Sequence, residues 1–369
     1  MIQASLYHTT YLIVITILTI IVLIWYLVSF RTISLNRTSN LPAFILAVLV
    51  SLFIGLRPVS GKYFVDMASY SFQYDGMMYE SFSVDWSVDN IIFDNLMPYM
   101  ASRGVPSSTF FLLMSFLYFM MMFLACRKLF PEGSLLPFLV CLAAFSSFAY
   151  ATNGIKAGVA ASLFLMAIAY HDKLIIAVPF LLLSMGFHHS MQLPMAAFLV
   201  VLFIRNPKIY FFLWFLSLLL AIFHITYFQD IFATLTDEQG AGYLVTDEND
   251  LYWGDVIRFR PDFVLYSSVP FVIGFLILSK KSIVSTKYIF LLNFYLLTNS
   301  VWMLCMYAKF TNRIAYLSWF VYPIVLIYPF LESKNADYQT NQLKRFVPWV
   351  VLGHLAFTLF MFFVYYNNI

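Results

Sequence analysis

TYLIVITILTIIVLIWYLVSF, residues 10–30, contains no charged residue, no glycine and no proline. An α-helix rises about 1.5 Å per residue, so a run of this length crosses the roughly 30 Å hydrocarbon core of a bilayer. It reads as a transmembrane helix. Nothing basic precedes it and Arg31 follows it, so the expectation is a retained span with its N-terminus outside and no cleavable leader.

The rest of the chain has the same character. Of 369 residues, 62% are apolar and 20% aromatic, and only 11% are charged, against about 25% charged in ordinary soluble domains. The 21 Lys+Arg and 18 Asp+Glu cannot cover a water-facing domain of this length, and the 41 Phe would have no core large enough to enter. A soluble enzyme is thereby excluded. A net charge of +3 without a basic run sets nucleic acid aside. Cys126, Cys141 and Cys305 lie in apolar runs without C-x-x-C or Cys/His spacing and read as small hydrophobes.

Windows of similar length predict an all-α, polytopic helical bundle forming one integral membrane domain over 1–369, with about twelve spans (range 10–13). Residues 10–30, 41–56, 108–125, 209–227, 263–279, 287–306, 315–331 and 346–365 are straightforward by length and flanks. Residues 135–170 are interrupted by Asn153, Gly154 and Lys156, which predicts two helices and a tight outer turn. Residues 174–204 are interrupted by His188, His189 and Ser190; two spans are expected, with re-entrant half-helices as the alternative.

With the N-terminus outside, 13 of the 21 Lys+Arg fall in inner segments, as the positive-inside rule requires. The inner loops are short, leaving no cytoplasmic domain to bind a nucleotide. Two segments, 58–106 and 229–262, are then long and extracytoplasmic. The first carries Tyr63, Phe64, Tyr70, Phe72, Tyr74, Tyr79, Phe82 and Trp86, which suit packing, interface docking or stacking on sugar rings.

Arg57, Lys62, Arg103, Lys156, Arg258, Arg260, Lys309 and Arg313 stay outside despite the bias. Arg57, Lys156, Arg260 and Arg313 stand at helix ends and can gather at one depth. Cations there suit a phosphate or pyrophosphate of a lipid, because guanidinium forks match phosphate oxygens and strengthen where water is scarce. The plainer reading is that each pairs with a nearby carboxylate or snorkels to headgroups. Among outer acids and histidines, Asp66, Asp94, Asp262 and the pair His188-His189 stand out, and His188 or Asp66 can take a proton from a sugar hydroxyl. The histidine pair lacks partners at metal-ligand spacing, so no metal and no other cofactor is expected. Glu248-Asn249-Asp250 has the look of an acidic triplet for a metal-nucleotide sugar but lies on the outer side, where nucleotide sugars are not found.

Taken in order, Arg57-Pro-Val-Ser-Gly61-Lys-Tyr-Phe-Val-Asp66-Met-Ala-Ser-Tyr70, Phe93-Asp94-Asn95-Leu96, Asn153-Gly-Ile-Lys156-Ala-Gly158-Val-Ala160, Phe187-His188-His189-Ser190, Arg260-Pro-Asp262-Phe263 and Arg313-Ile-Ala-Tyr316 resemble the outer motifs of Wzy/EpsG-type bacterial polysaccharide polymerases. The likeness spans most of the chain. Lys156 stands where Arg is usual, keeping charge but losing the planar fork, and Asp94 stands where Glu is commoner.

The resemblance implies a multi-pass glycosyltransferase of the bacterial inner membrane, open to a GT-C-like architecture, with its active site facing outward. Such enzymes move a growing glycan from undecaprenyl pyrophosphate onto a lipid-linked oligosaccharide repeat unit. It further implies donor and acceptor on undecaprenyl pyrophosphate, membrane lipids and a chain-length regulator protein as partners. On this reading Arg57 and Arg313 act catalytically with His188 and Asp66. Lys156, Arg258, Arg260, Tyr70, Asp94, Asp262, His189 and Tyr316 bind substrate or pyrophosphate. A transporter or flippase of the same lipid-linked sugar, and an O-antigen ligase or lipid-linked sugar transferase, are the alternatives.

Overall fold

Lipid offers no hydrogen-bond partner to a peptide group, so an uncharged apolar run satisfies its backbone by coiling. In a computed structural model, which describes residues 2–29, 40–234, 258–279, 285–332 and 343–367, every regular element is helical. The protein is an all-α polytopic membrane bundle. Five of the described helices are long and apolar enough to cross a bilayer, and a bent pair makes a sixth. Several other sequence windows form helices of 10–17 residues, shorter than a full crossing requires.

Packing groups the chain into two units, residues 1–192 with 330–362 and residues 193–329 with 363–369. The first unit holds α1 (Tyr7–Ser29), α2 (Asn40–Gly55), α3 (Val65–Gly76), α4 (Phe93–Ser102), α5 (Ser107–Leu129), α6 (Leu135–Leu142), α7 (Phe145–Thr152), α8 (Ile155–Ala169) and α9 (Leu174–Phe187). Its centre is α5, which packs on α2 and on α8, while α8 also packs on α9. Helices in lipid associate through close packing and shared hydrogen bonds, because burial of apolar surface gains little there. Ser115 accordingly donates its hydroxyl to Ser51 O at 3.0 Å, and Ser184 donates to Ala160 O at 2.7 Å. Small residues on α8, among them Ala160, Ala161, Ser162 and Ala167, are fully buried and let its neighbours approach.

Two sequence expectations meet a different outcome. Residues 135–170 form three helices where two were expected, because the axis turns by 74° between α6 and α7 at Ala143-Ala144, ahead of the break at Asn153-Gly154. Residues 174–204 do form two helices, parted at the histidine pair by a 3-10 turn, His189–Met191. In segment 58–106, α3 and α4 bury Met67, Tyr74, Phe93, Met97 and Ala101. Phe72, Tyr79 and Trp86 remain 84%, 77% and 81% exposed. Residues 235–257, with Glu248-Asn249-Asp250, and the basic Arg31, Arg37, Lys280, Lys281 and Lys334 lie outside the described residues.

The second unit is built from most of α10 (Gln192–Phe203), α11 (Pro207–Ile222), α12 (Tyr227–Thr234), α13 (Pro261–Ser279), α14 (Thr286–Leu304), α15 (Thr311–Trp319) and most of α16 (Tyr322–Leu331). The last long helix, α17 (Val347–Asn367), belongs to the first unit as far as Phe362. Within the second unit, α14 packs on α11 and α15 around a polar knot. Asn299 accepts from Trp214 Nε1 at 2.8 Å and donates to Ser318 Oγ at 2.9 Å and Ser267 Oγ at 3.2 Å, while Trp319 Nε1 donates to Ser267 Oγ at 2.8 Å. All of these residues are buried, so removing the hub strands an indole N–H without water. Asn299→Leu is expected to destabilise the protein by about 1–3 kcal/mol, read as an earlier thermal midpoint in detergent; an unchanged midpoint would show the knot to be dispensable.

Candidate functional site

The residues singled out in the sequence fall into two groups, one in each unit. The first begins where α2 stops. A residue before proline is pushed out of the helical region, so α2 cannot run through Arg57-Pro58 and the arginine turns inward. Arg57 is 4% exposed. Its Nη1 donates to Ile54 O at 2.8 Å, its Nη2 donates to Thr152 O at 2.6 Å, and its Cζ lies 5.3 Å from the Phe64 ring centroid. Burial pushes its pKa down to about 10, with Tyr7 opposing the shift, so the group stays charged at neutral pH. A guanidinium carries five N–H donors. Two are used, and Nε is buried without a hydrogen-bond partner.

Thr152 ends α7, and after the Asn153-Gly154 turn Lys156 stands in the first turn of α8. A cation is poorly placed there, since the N-terminal end of a helix dipole already favours negative charge. Its Nζ sits 5.7 Å from the Phe93 centroid. Among the described residues no carboxylate pairs with Arg57 or Lys156. Phe93, at the start of α4, also meets Tyr70 of α3 edge-on at 5.4 Å. Asp66 lies in the first turn of α3, one helical turn before Tyr70 on the same face, at a helix end that favours its charge.

Asp94 follows Phe93, and its Oδ2 accepts from Asn90 Nδ2 at 2.9 Å and from Asn90 N at 3.3 Å. Asn90 Oδ1 lies 3.0 Å from His189 N and 3.2 Å from His189 Nδ1. The rings of His188 and His189 are 5.1 Å apart. The backbone hydrogen bond from Ile92 N to Gly186 O, 2.7 Å, holds the entry to α4 against the end of α9. A Cβ at Gly186 would come within 2.6 Å of the Ile92 side chain, which would have to shift to admit it. Arg57, Asp66, Tyr70, Asp94, Lys156, His188 and His189 thus share one unit, and contacts through Thr152, Phe93 and Asn90 link most of them. Sequence reasoning passed over Asn90 and Thr152. The only signal for Asn90 was its place four residues before Asp94.

In the second unit, Arg260 and Asp262 form a two-pronged ion pair, Nε to Oδ1 at 3.0 Å and Nη2 to Oδ2 at 2.6 Å. The Arg260 Cζ lies over the Phe263 ring, 3.6 Å from the centroid. Asp262 therefore orients Arg260 through Nε and Nη2, leaving the Nη1 edge for a further acceptor. Phe263 meets Trp319 at 4.9 Å, and Tyr316 meets Trp319 at 5.7 Å, so Tyr316 joins this aromatic cluster. Arg313 is exposed and lies over Phe310 at 4.8 Å, and Arg258 is exposed.

The sequence matches the family described as EpsG family over residues 40–369. That span contains every residue of both groups. No curated protein and no solved structure matches the chain.

Proposed function

The chain belongs to the EpsG family, whose members are polysaccharide-polymerase-type membrane proteins, and from that premise we propose that it is a glycosyltransferase extending a glycan carried on a lipid pyrophosphate. The observation that carries this reading is Arg57. Holding a buried guanidinium that no carboxylate among the described residues pairs with is costly, and an anion bound there would offset that cost. A diphosphate fits, because the open N–H donors of Arg57 can bind its oxygens and Lys156 adds a second charge to the same unit.

The chemistry follows from the leaving group. Outside the cytoplasm no nucleotide sugar supplies bond energy, so that energy arrives on the donor. An undecaprenyl pyrophosphate leaves as an anion, so fixed positive charge is the main requirement and a strong general acid is not. Arg57 and Lys156 hold that anion; the sequence reading also assigns Arg260 and Arg313 to pyrophosphate and Arg258 to substrate or pyrophosphate. The sequence assigns proton uptake from the acceptor hydroxyl to His188 or Asp66, with Tyr70 and Asp262 positioning sugars or arginines and Tyr316 binding substrate or pyrophosphate. The site faces outward across the bacterial inner membrane, and a chain-length regulator acts as partner. No resident metal or other cofactor takes part in this scheme.

Purified protein incubated with lipid-linked repeat unit, and without nucleotide sugar, should yield a ladder of polymer. A single capping event would assign the chain to the ligases instead. Movement of the unit across a vesicle membrane with no new glycosidic bond would make it a flippase.

A further inference from the structure

The hydrogen bonds around the histidine pair fix two opposite tautomers, and with them the roles of the two rings. A backbone N–H can only donate and a carboxylate can only accept. His189 N donates to Asn90 Oδ1 at 3.0 Å, and Asp94 Oδ2 accepts from Asn90 Nδ2 at 2.9 Å, so the amide has one orientation. The oxygen that faces His189 Nδ1 at 3.2 Å must then be met by an N–H. In its neutral form His189 therefore carries its proton on Nδ1, and Nε2 bears the lone pair. The neighbour is set the other way. Ser190 N donates to His188 Nδ1 at 3.2 Å, so Nδ1 of His188 is the acceptor and the proton of the neutral ring sits on Nε2.

We infer that His189, oriented by Asn90 and Asp94, is the general base of the transfer, and that His188 is a hydrogen-bond donor to the substrate. This rests on the glycosyltransferase reading above and departs from the assignment of the base to His188 or Asp66. In the step, the acceptor hydroxyl gives its proton to Nε2 of His189 as its oxygen forms the new bond to the anomeric carbon. The bond from that carbon to the pyrophosphate oxygen breaks, and its electron pair leaves with the lipid diphosphate. His189 becomes an imidazolium and later returns its proton to water. Asn90, which is 5% exposed, is a positioning residue: it holds Nδ1–H and places the Asp94 carboxylate behind it, where negative charge favours the imidazolium. Both histidines are half-buried, a position compatible with contact to substrate.

Glutamine tests the assignment, because its amide N–H can replace a donating Nε2–H but cannot take up a proton. With lipid-linked repeat unit as substrate, His189→Gln should lower kcat by roughly 100- to 10,000-fold with little change in KM, the range expected for loss of a general base. His188→Gln should lower it less than about tenfold. Asn90→Leu should reduce kcat and leave KM nearly unchanged. Equal losses in the two histidine variants, or the larger loss in His188→Gln, would overturn the proposal. If His189→Gln does not fold, His188→Gln decides alone: retained turnover supports the assignment and collapse refutes it. Nitrogen-15 NMR of histidine-labelled protein, assigned with the two glutamine variants, should report protonated Nδ1 at His189 and unprotonated Nδ1 at His188; the reverse pattern would also refute it. This readout needs no substrate. Failure of the wild-type protein to form polymer would count against the glycosyltransferase reading, whereas opposite tautomers or reversed kinetics would count against this inference.

Discussion

Arg57→Met is expected to stop polymer growth while leaving the protein folded, with transfer reduced roughly 100- to 1,000-fold, as when one preorganised donor to a developing anion is lost. The two halves of this expectation have separate causes. The guanidinium is 4% exposed and has no carboxylate partner among the described residues, so replacing it with an unbranched apolar side chain removes a buried charge without stranding an opposite one among them. The loss to the fold is two hydrogen bonds, to Ile54 O and Thr152 O, and the net change should stay within about 2 kcal/mol. On the proposed reading, the loss to the reaction is the charge that holds the leaving diphosphate. Arg57→Lys separates charge from geometry: an ammonium keeps the sign but cannot hold two carbonyls and a phosphate with a planar fork, so its activity should fall between wild type and Arg57→Met. Polymer of normal length and rate from Arg57→Met, in a strain lacking the native enzyme, would remove Arg57 from the mechanism.

How much of this was legible beforehand depends on whether a feature leaves a polar mark in an apolar chain. The helices were readable because lipid permits almost no other backbone for runs such as residues 10–30. The turn at Asn153-Gly154 and the break at His188-His189 were readable because polar residues interrupt apolar runs there. The 74° bend at Ala143-Ala144 left no mark, since the carbonyl of Cys141 near the bend accepts from the Ser147 hydroxyl within the protein. Helix length was also hidden. Pro58 stops α2 while the apolar window is still short, and apolar windows alone do not reveal how much of a helix is covered by protein rather than lipid. Among the site residues, the charged and histidine positions stood out, but Asn90 did not, because an amide in a polar loop is common and its partner His189 arrives only with the tertiary fold.

Gly158→Val should impair folding and transfer together, and truncating the neighbouring side chain should not rescue it. A Cβ at position 158 would stand 2.6 Å from Tyr150 O and 3.1 Å from Tyr150 C, so the obstacle is largely backbone. A flexible side chain could swing away from such a contact; a carbonyl in α7 can yield only if α7 and α8 move apart. Overpacking of this kind costs about 1–3 kcal/mol, and more when the neighbour is rigid, so an earlier thermal midpoint in detergent is expected. The damage extends to the site because α7 ends at Thr152, whose carbonyl holds Arg57, and α8 begins three residues later, with Lys156 in its first turn. A separation near 1 Å displaces both cations relative to each other, and a misplacement of that size can cost on the order of 100-fold in rate. Tyr150→Ala in the Gly158→Val background leaves the backbone oxygen where it was, so neither stability nor transfer should return. Recovery in that double variant would locate the clash in the tyrosine side chain and leave the spacing of α7 and α8, and hence of the two cations, uncoupled from Gly158.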